Sequence, residues 1–169
     1  MRRASLRAGA LLGLALLLFG CQREREKLVE VSGHIFVFNY RVASATYLVT
    51  LNKTGTIPDG ATAVAEFEDP AGGAPIVVRE AIFPAWDKIT LQSPNISCVV
   101  KDRPYAVAIR ILDAKGATLQ ELKTQLVSDV DQSVLPGKPL VIGPGYDRNP
   151  EVFKPDGSTD YARQEACRT

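Results

Sequence analysis

Side chains that could carry out acid–base or nucleophilic chemistry are scarce in this sequence of 169 residues. His34 is the one histidine, so a Ser-His-Asp or Cys-His arrangement would have to use it. It lies inside an alternating strand pattern and not in a loop beside a pocket. We therefore expect His34 to be a half-buried or surface strand residue, and we predict no catalytic residue and no enzymatic activity.

Metal and cofactor sites find little support either. A zinc site needs three or four converging His, Cys or carboxylate ligands, and the chain offers only His34, three cysteines and carboxylates. Glycine-rich stretches at 72–73 and 143–145 precede no helical pattern, so they are typical of turns and not of phosphate-binding loops. Glu66 and Glu68 share one strand face, which we expect to be solvated. No metal and no cofactor are predicted.

The first cysteine closes a segment with the features of a bacterial lipoprotein leader. Arginines precede an apolar run over residues 8–19, which is too short to cross about 30 Å of hydrocarbon. The run ends in LFGC at positions 18–21. This motif resembles the lipobox, whose cysteine thiol is diacylated before the leader is removed. We predict cleavage between Gly20 and Cys21, and lipidation of Cys21.

This reading divides the N-terminal region into two parts. Residues 1–20 are predicted to be the signal peptide, and residues 21–27 an acylated tether, because their alternating charges leave almost nothing to bury. Two acyl chains anchor a protein stably where one is marginal. Gln22 stands where an aspartate would retain a lipoprotein at the inner membrane in enteric bacteria. By that analogy we predict an outer-membrane location, facing the periplasm.

The charge balance bears on the kind of partner. The net charge is +1, but three of the 20 basic residues lie in the leader, so the remainder is faintly acidic against its 19 acidic residues. Binding to DNA or RNA would need a clustered cationic face. No nucleic-acid partner is predicted.

From residue 28 onward the apolar residues alternate with period two, and no segment carries a sustained helical stripe. Strands are predicted over 28–40, 47–51, 61–68, 76–83, 87–92, 105–112 and 118–127, with a short edge strand at 140–142. We predict an all-β fold, a small antiparallel β-sandwich or partly closed barrel of about seven strands over residues 28–143. Residues 144–169 are mostly polar and are predicted to form a flexible C-terminal tail, poorly ordered beyond about Phe153.

The two remaining cysteines, Cys98 and Cys167, form an even pair in a compartment where disulfides persist. One interpretation is that they are bonded to each other. The other is that Cys98, next to two valines, is a buried small apolar residue and Cys167 is free in the tail. The sequence leaves both interpretations open.

Aromatic side chains are the best candidates for contact with a partner. Phe36, Phe38 and Tyr40 fall on one face of the first strand, and they form an apolar binding patch if the second sheet leaves that face open. Packing in the core is the alternative. Trp86 is likewise either a loop anchor against the core or an exposed contact residue.

Several segments resemble the YbaY-like and YscW-like lipoproteins, the latter being pilotins of type III secretion. They are the lipobox at 18–21, the strand VSGHI at 31–35, the turn IPDGA at 57–61, and RPYAVAIR at 103–110 ahead of a hairpin. The resemblance covers about residues 28–130. It implies a small β-sandwich tethered to the inner leaflet of the outer membrane, and it brings no catalytic residues with it.

In the pilotin branch, such a domain binds a C-terminal segment of the secretin subunit and escorts it to the outer membrane. The resemblance therefore implies an envelope-protein partner, with the acyl anchor raising the local concentration near the target. A polysaccharide- or glycan-binding module is the alternative function. It predicts exposed aromatic platforms such as Trp86 or Tyr40.

Overall fold

The computed structural model describes residues 27–165 and residue 167. The predicted signal peptide, the cleavage site at Gly20 and Cys21, and nearly all of the predicted tether lie outside the described residues. Within the part of the chain that is described, no helix is both long enough and apolar enough to cross a membrane.

The described residues form strands joined by turns, with one short 3-10 helix at Gln132–Val134. The strands are β1 (Val29–Asn39), β2 (Ser44–Lys53), β3 (Thr62–Phe67), β4 (Ile76–Ala81), β5 (Lys88–Gln92), β6 (Pro104–Leu112), β7 (Thr118–Val127), β8 (Val141–Ile142) and β9 (Asp147–Arg148). This confirms the predicted all-β class. Each predicted strand recurs near its expected position, and β9 is an addition.

Strands β1 to β7 make two packed antiparallel sheets, which confirms the predicted sandwich. The three-stranded sheet has the order β1-β2-β5 and the four-stranded sheet the order β4-β3-β6-β7. Strands β8 and β9 pair separately as a two-stranded ribbon. Connections between neighbouring strands are short where β1 meets β2 and where β6 meets β7, as expected for hairpins.

The core lies between the inner faces of the two sheets. Inward positions alternate along each central strand, as in Tyr105, Val107, Ile109 and Ile111 of β6, all of which are buried. Phe67 from β3 stacks on Tyr47 from β2 with ring centroids 4.9 Å apart, so aromatic side chains join the two sheets.

Strand β1 contains a bulge that reverses which of its residues face inward. The pairing with β2 shifts between Val31 and Gly33, so one residue is left without a cross-strand partner. Val29 is buried before the bulge and Phe36 after it. An uninterrupted alternation would have placed these two residues on opposite faces.

The two ends of the sandwich differ in what they carry. The chain enters the fold at the end where the backbone carbonyl of Leu28 accepts hydrogen bonds from the N–H groups of Thr54 and Gly55, at 2.8 and 3.1 Å. We call this the tether end. It contains the loops 54–61 and 82–87 and the hairpin 113–117. The opposite, distal end carries the β1–β2 turn and the C-terminal segment.

The C-terminal segment differs from the predicted flexible tail, because its backbone is hydrogen-bonded to the sandwich. The N–H of Gln164 donates to the carbonyl of Leu135, and its Nε2 donates to the carbonyl of Ala43, both at 3.0 Å. Val152 is fully buried. Polar composition suggested mobility, but Asp and Asn side chains such as Asn149 satisfy the turns of this segment locally.

A disulfide joins Cys98 to Cys167, with the two Cα atoms 5.3 Å apart. Of the two interpretations open from the sequence, the structure contains the bonded one. Cys98 lies between β5 and β6 at the distal end, so the bond fastens the far end of the chain to the sandwich.

Candidate partner-binding surfaces

The aromatic face of β1 predicted as a binding patch is mostly core. Phe36 is 6% exposed, and its ring centroid lies 4.6 Å from that of Tyr47 and 5.5 Å from that of Tyr105. Phe38 packs partly buried against the same cluster. The prediction that Phe36 and Phe38 form an open binding face is therefore wrong, because the second sheet covers that side of β1.

The opposite face of β1 is open and apolar. Ile35 is 59% exposed and Val37 39%, although both are β-branched apolar residues in the middle of a strand. Ile35 lies directly across from the half-buried Leu48 on β2. We call these three residues, Ile35, Val37 and Leu48, the outer patch. It is the apolar part of the outer face of the three-stranded sheet.

Polar side chains border the outer patch on the remaining strands. Val37 pairs with Thr46, whose hydroxyl lies 3.4 Å from the Nε2 of Gln92, and Thr50 pairs with Thr90 on β5. Single exposed apolar residues are normal on protein surfaces, whereas a contiguous group rimmed by polar residues is a candidate interaction surface. The outer patch is such a group, and it lies at the edge of the sheet.

The edge of β1 is only partly covered. Near its start, the side chain of Gln120 on β7 accepts from the N–H groups of Leu28 and Val29 and donates to the carbonyl of Val29. Further along, only a side-chain contact between His34 and Thr124 links the two strands. Beyond it, β1 pairs with β2 alone, so its outer main-chain groups can receive an added strand.

His34 lies in a setting that suits the surface interpretation. Its Nδ1 is 2.9 Å from the hydroxyl of Thr124, and the residue is exposed. Across the described ranges, 27–165 and 167, no group of three or more His, Cys, Asp or Glu side chains is placed to hold a metal ion. Glu68 is paired with Arg103 at 2.6 Å, and Glu66 with Arg110, on the solvent side of the four-stranded sheet.

Tyr47 has the strongest electrostatic perturbation near the core. Burial raises the pKa of its hydroxyl well above the ordinary value, and the neighbouring Tyr105 and Glu68 raise it further. The hydroxyl donates to the carbonyl of Glu68 at 2.8 Å. This tyrosine is thus a buried structural donor that holds β2 against the end of β3.

Trp86 and Tyr40 are exposed, as the contact interpretation required, but they lie at opposite ends of the sandwich. Tyr40 follows β1 in the distal turn. Trp86 lies in the loop before β5, where its ring is 4.5 Å from that of Phe83 and tilted by 55°. Sequence reasoning missed Phe83 as a partner of Trp86, although the spacing of three residues within a turn could have indicated it.

An open cleft of about 510 Å³ lies at the distal end, between the β1–β2 turn and the C-terminal segment. The buried side chain of Gln132 lines it, accepting from the N–H of Val99 and donating to the carbonyl of Ile96, each at 3.0 Å. Because both ends of this amide are already bonded within the protein, the cleft presents no free buried polar group.

The fold and its surfaces define a small antiparallel β-sandwich with an apolar patch at the edge of its three-stranded sheet. No protein-family model matches the chain, and no curated protein matches it. Among solved structures, an endonuclease/exonuclease/phosphatase from Beutenbergia cavernae aligns with a TM-score of 0.29 and 13% identity. The alignment covers 57% of this chain and 27% of that one, so the chain spans about a quarter of that protein's length.

Proposed function

We propose that the protein is a lipid-anchored binding module of the outer membrane that holds another envelope protein through the outer patch. The observation that carries the proposal is the exposure of Ile35 and Val37 on the edge strand β1, beside Leu48 on β2. Burying a fully exposed side chain of this kind contributes about 1.5–3 kcal/mol. Ile35 is 59% and Val37 39% exposed, so a partner that covers them would gain a part of that amount from each.

The anchor supports the same proposal from the sequence side. The motif at 18–21 that resembles a lipobox predicts acyl chains on Cys21, and only five residues lie between Cys21 and Lys27, where the described structure begins. A short tether keeps the module within a small volume at the membrane surface. That raises the effective concentration for a partner in the same membrane.

In its sharper form, the proposal is a pilotin-like role, with a C-terminal segment of a secretin subunit as the partner. The geometry that favours it is an unpaired main-chain edge next to apolar side chains. A peptide added along β1 would gain strand hydrogen bonds from the edge and specificity from the outer patch. No catalytic step belongs to this role.

Site-specific photocrosslinking in living cells tests the proposal. A photoreactive amino acid at Ile35 should give one discrete adduct with an envelope protein, and the same group at Gln125, exposed on the other sheet, should not. Adding Val37→Lys to the Ile35 probe should reduce the adduct at least tenfold. An adduct identified as a secretin C-terminus favours the pilotin form. Equal labelling from both positions, or none from Ile35, refutes the proposal.

Polysaccharide binding is the second candidate, favoured by the exposure of Trp86 and Tyr40. Exposed aromatic rings provide stacking surfaces for sugar rings. The test is retention of the purified protein on cell-wall polymers. If this candidate is correct, Trp86→Ala or Tyr40→Ala abolishes retention, while Ile35→Lys leaves it unchanged.

A further inference from the structure

A run of four apolar residues at 83–86 stands out in solvent at the tether end. We call this run, Phe83, Pro84, Ala85 and Trp86, the apolar loop, and all four residues are exposed. Phe83 is 50% and Trp86 49% exposed, and the N–H of Trp86 donates to the carbonyl of Phe83 at 3.0 Å. The turn therefore holds two large aromatic rings together and away from the core.

The apolar loop lies next to the point where the chain enters the fold. The N–H of Lys53 donates to the carbonyl of Asp87, the residue after the loop, at 2.9 Å. The hydroxyl of the next residue, Thr54, donates to the carbonyl of Lys27 at 2.6 Å. With consecutive Cα atoms about 3.8 Å apart, these links keep Asp87, the residue that follows the loop, within about 15 Å of Lys27.

The stretch of chain between Cys21 and the described structure is short. Cys21 to Lys27 spans six peptide steps, which reach about 20 Å when fully extended. If Cys21 carries acyl chains in a bilayer, the tether end is held within that distance of the headgroups. The exposed rings of Phe83 and Trp86 would then lie close to the lipid.

The charges at the tether end do not select an anionic surface. The basic residues there are Lys27, Lys53, Lys88 and Lys115, and the acidic residues are Glu30, Asp59, Asp87 and Asp113. The near balance gives little net attraction to anionic lipid. Tryptophan favours the membrane–water interface because its ring is amphipathic, so the contact depends on the rings and not on charge.

We propose that the apolar loop inserts into the headgroup region of the membrane that carries the anchor, so that the sandwich stands on its tether end. The occupant is the phospholipid surface itself. This rests on the proposed function in one respect, the lipid anchor at Cys21. It adds that the bilayer contacts the protein at a second point and so sets its orientation.

Trp86 is the only tryptophan in the chain, so its fluorescence reports on this contact directly. The full chain is placed in vesicles of phosphatidylethanolamine and phosphatidylglycerol that contain phosphatidylcholine brominated near the headgroup. If the cell does not acylate Cys21, its thiol is coupled to a maleimide lipid instead, because the other two cysteines are bonded to each other. We expect bromine quenching of Trp86 and at least a twofold loss of quenching by aqueous iodide.

The matched control moves the single tryptophan to the distal end, with Trp86→Phe and Tyr40→Trp in one chain. That tryptophan should remain open to iodide and escape the bromine. The proposal is overturned if bromine quenches the two chains equally. It is also overturned if iodide quenches Trp86 as strongly with the anchor as without it. Protection of Trp86 by cell-wall polysaccharide and not by vesicles overturns it as well.

Failure of this inference is distinguishable from failure of the proposed function. The mass of the residue 21 fragment reports acylation, and crosslinking at Ile35 reports the partner. Neither measurement depends on Trp86. An acylated, partner-binding protein with a solvated Trp86 would refute membrane contact of the apolar loop alone.

Discussion

Tyr47 places a hydroxyl group inside the core, where one acceptor, the carbonyl of Glu68, is available to it. A phenolate there would lose that donated hydrogen bond and pay the full cost of burial. The folded state therefore favours the neutral phenol of Tyr47 over its phenolate. Buried tyrosines of this kind make a sandwich sensitive to high pH.

We predict that alkaline conditions destabilise the protein through Tyr47. Its pKa is raised in the folded state, so the stabilisation is complete below the unfolded value of 10.0 and is lost as the pH rises above it. Tyr47→Phe should lower the free energy of unfolding at pH 7 by about 1 kcal/mol. The variant should also lose less stability than the wild type between pH 10 and about pH 12, measured by urea unfolding. Parallel losses in the two proteins would contradict this.

Ala43 adopts a left-handed backbone conformation, with φ of 52°, at the end of the β1–β2 turn. The left-handed conformation costs alanine roughly 1–2 kcal/mol. Glycine avoids this cost but makes the unfolded chain more flexible. We predict that Ala43→Gly raises the free energy of unfolding by about 0.5 kcal/mol, seen as a higher Tm. Ala71→Gly, in an exposed loop without a positive φ, is the control and should lower it. A lower Tm for both would show that strain at Ala43 is not relieved.

At the scale of single elements, strand positions followed from alternation, but the face that β1 presents did not. A period of two counted from Val31 sends Ile35 and Val37 to the same side as Val31. The bulge before Gly33 shifts the phase, so Phe36 turns inward and Ile35 outward. Gly33 inside a strand pattern is a known signal of a bulge. Which of the two alternating sets of β1 residues faces the second sheet depends on packing across the sandwich. A local sequence pattern does not contain that information.

The C-terminal segment shows the same limit in another form. Its composition is polar and its strands are two residues long, so its order depends on distant partners such as Ala43 and Cys98. Alternation carries no information on contacts of that kind. The cysteine count allowed the bond, and the sequence offered no means of choosing between bonded and free cysteines.

We predict that the disulfide, more than side-chain packing, holds the C-terminal segment in place. It closes a loop with a sequence separation of 69 residues, for which chain entropy gives a stabilisation of about 4 kcal/mol. Cys98→Ser with Cys167→Ser should lower the free energy of unfolding by up to that amount. Amide exchange at Gln164 and Asn149 should accelerate while the amide of Ile109 in β6 exchanges last. Unchanged protection of Gln164 would show that packing suffices without the bond.

The two ends of the whole molecule carry different features, a difference that neither sheet shows by itself. Chain entry and the apolar loop share the tether end, whereas the disulfide and the C-terminal segment occupy the distal end. The outer patch lies between them, since Ile35 is six residues along β1 from Val29, or about 20 Å at 3.3 Å per residue. On the proposed anchoring, a sandwich that stands on its tether end would hold the outer patch on the periplasmic side, clear of the headgroups. One lying on the three-stranded sheet would bury the patch against lipid.

This arrangement predicts two heights above the bilayer. Strand β1 has 11 residues and spans about 35 Å, so the distal end should lie roughly 30 Å farther from the membrane than the tether end. Fluorophores attached through an unnatural amino acid at Lys115, in the β6–β7 hairpin, and at Lys101, before β6, sample these two ends. Energy transfer to an acceptor dye on the lipid headgroups should be strong from Lys115 and weak from Lys101. Replacing Phe83 and Trp86 together by serine should reduce the difference, because the tether alone permits many orientations. Equal transfer from both positions in the unaltered protein would mean that the sandwich lies flat, and would contradict the upright orientation.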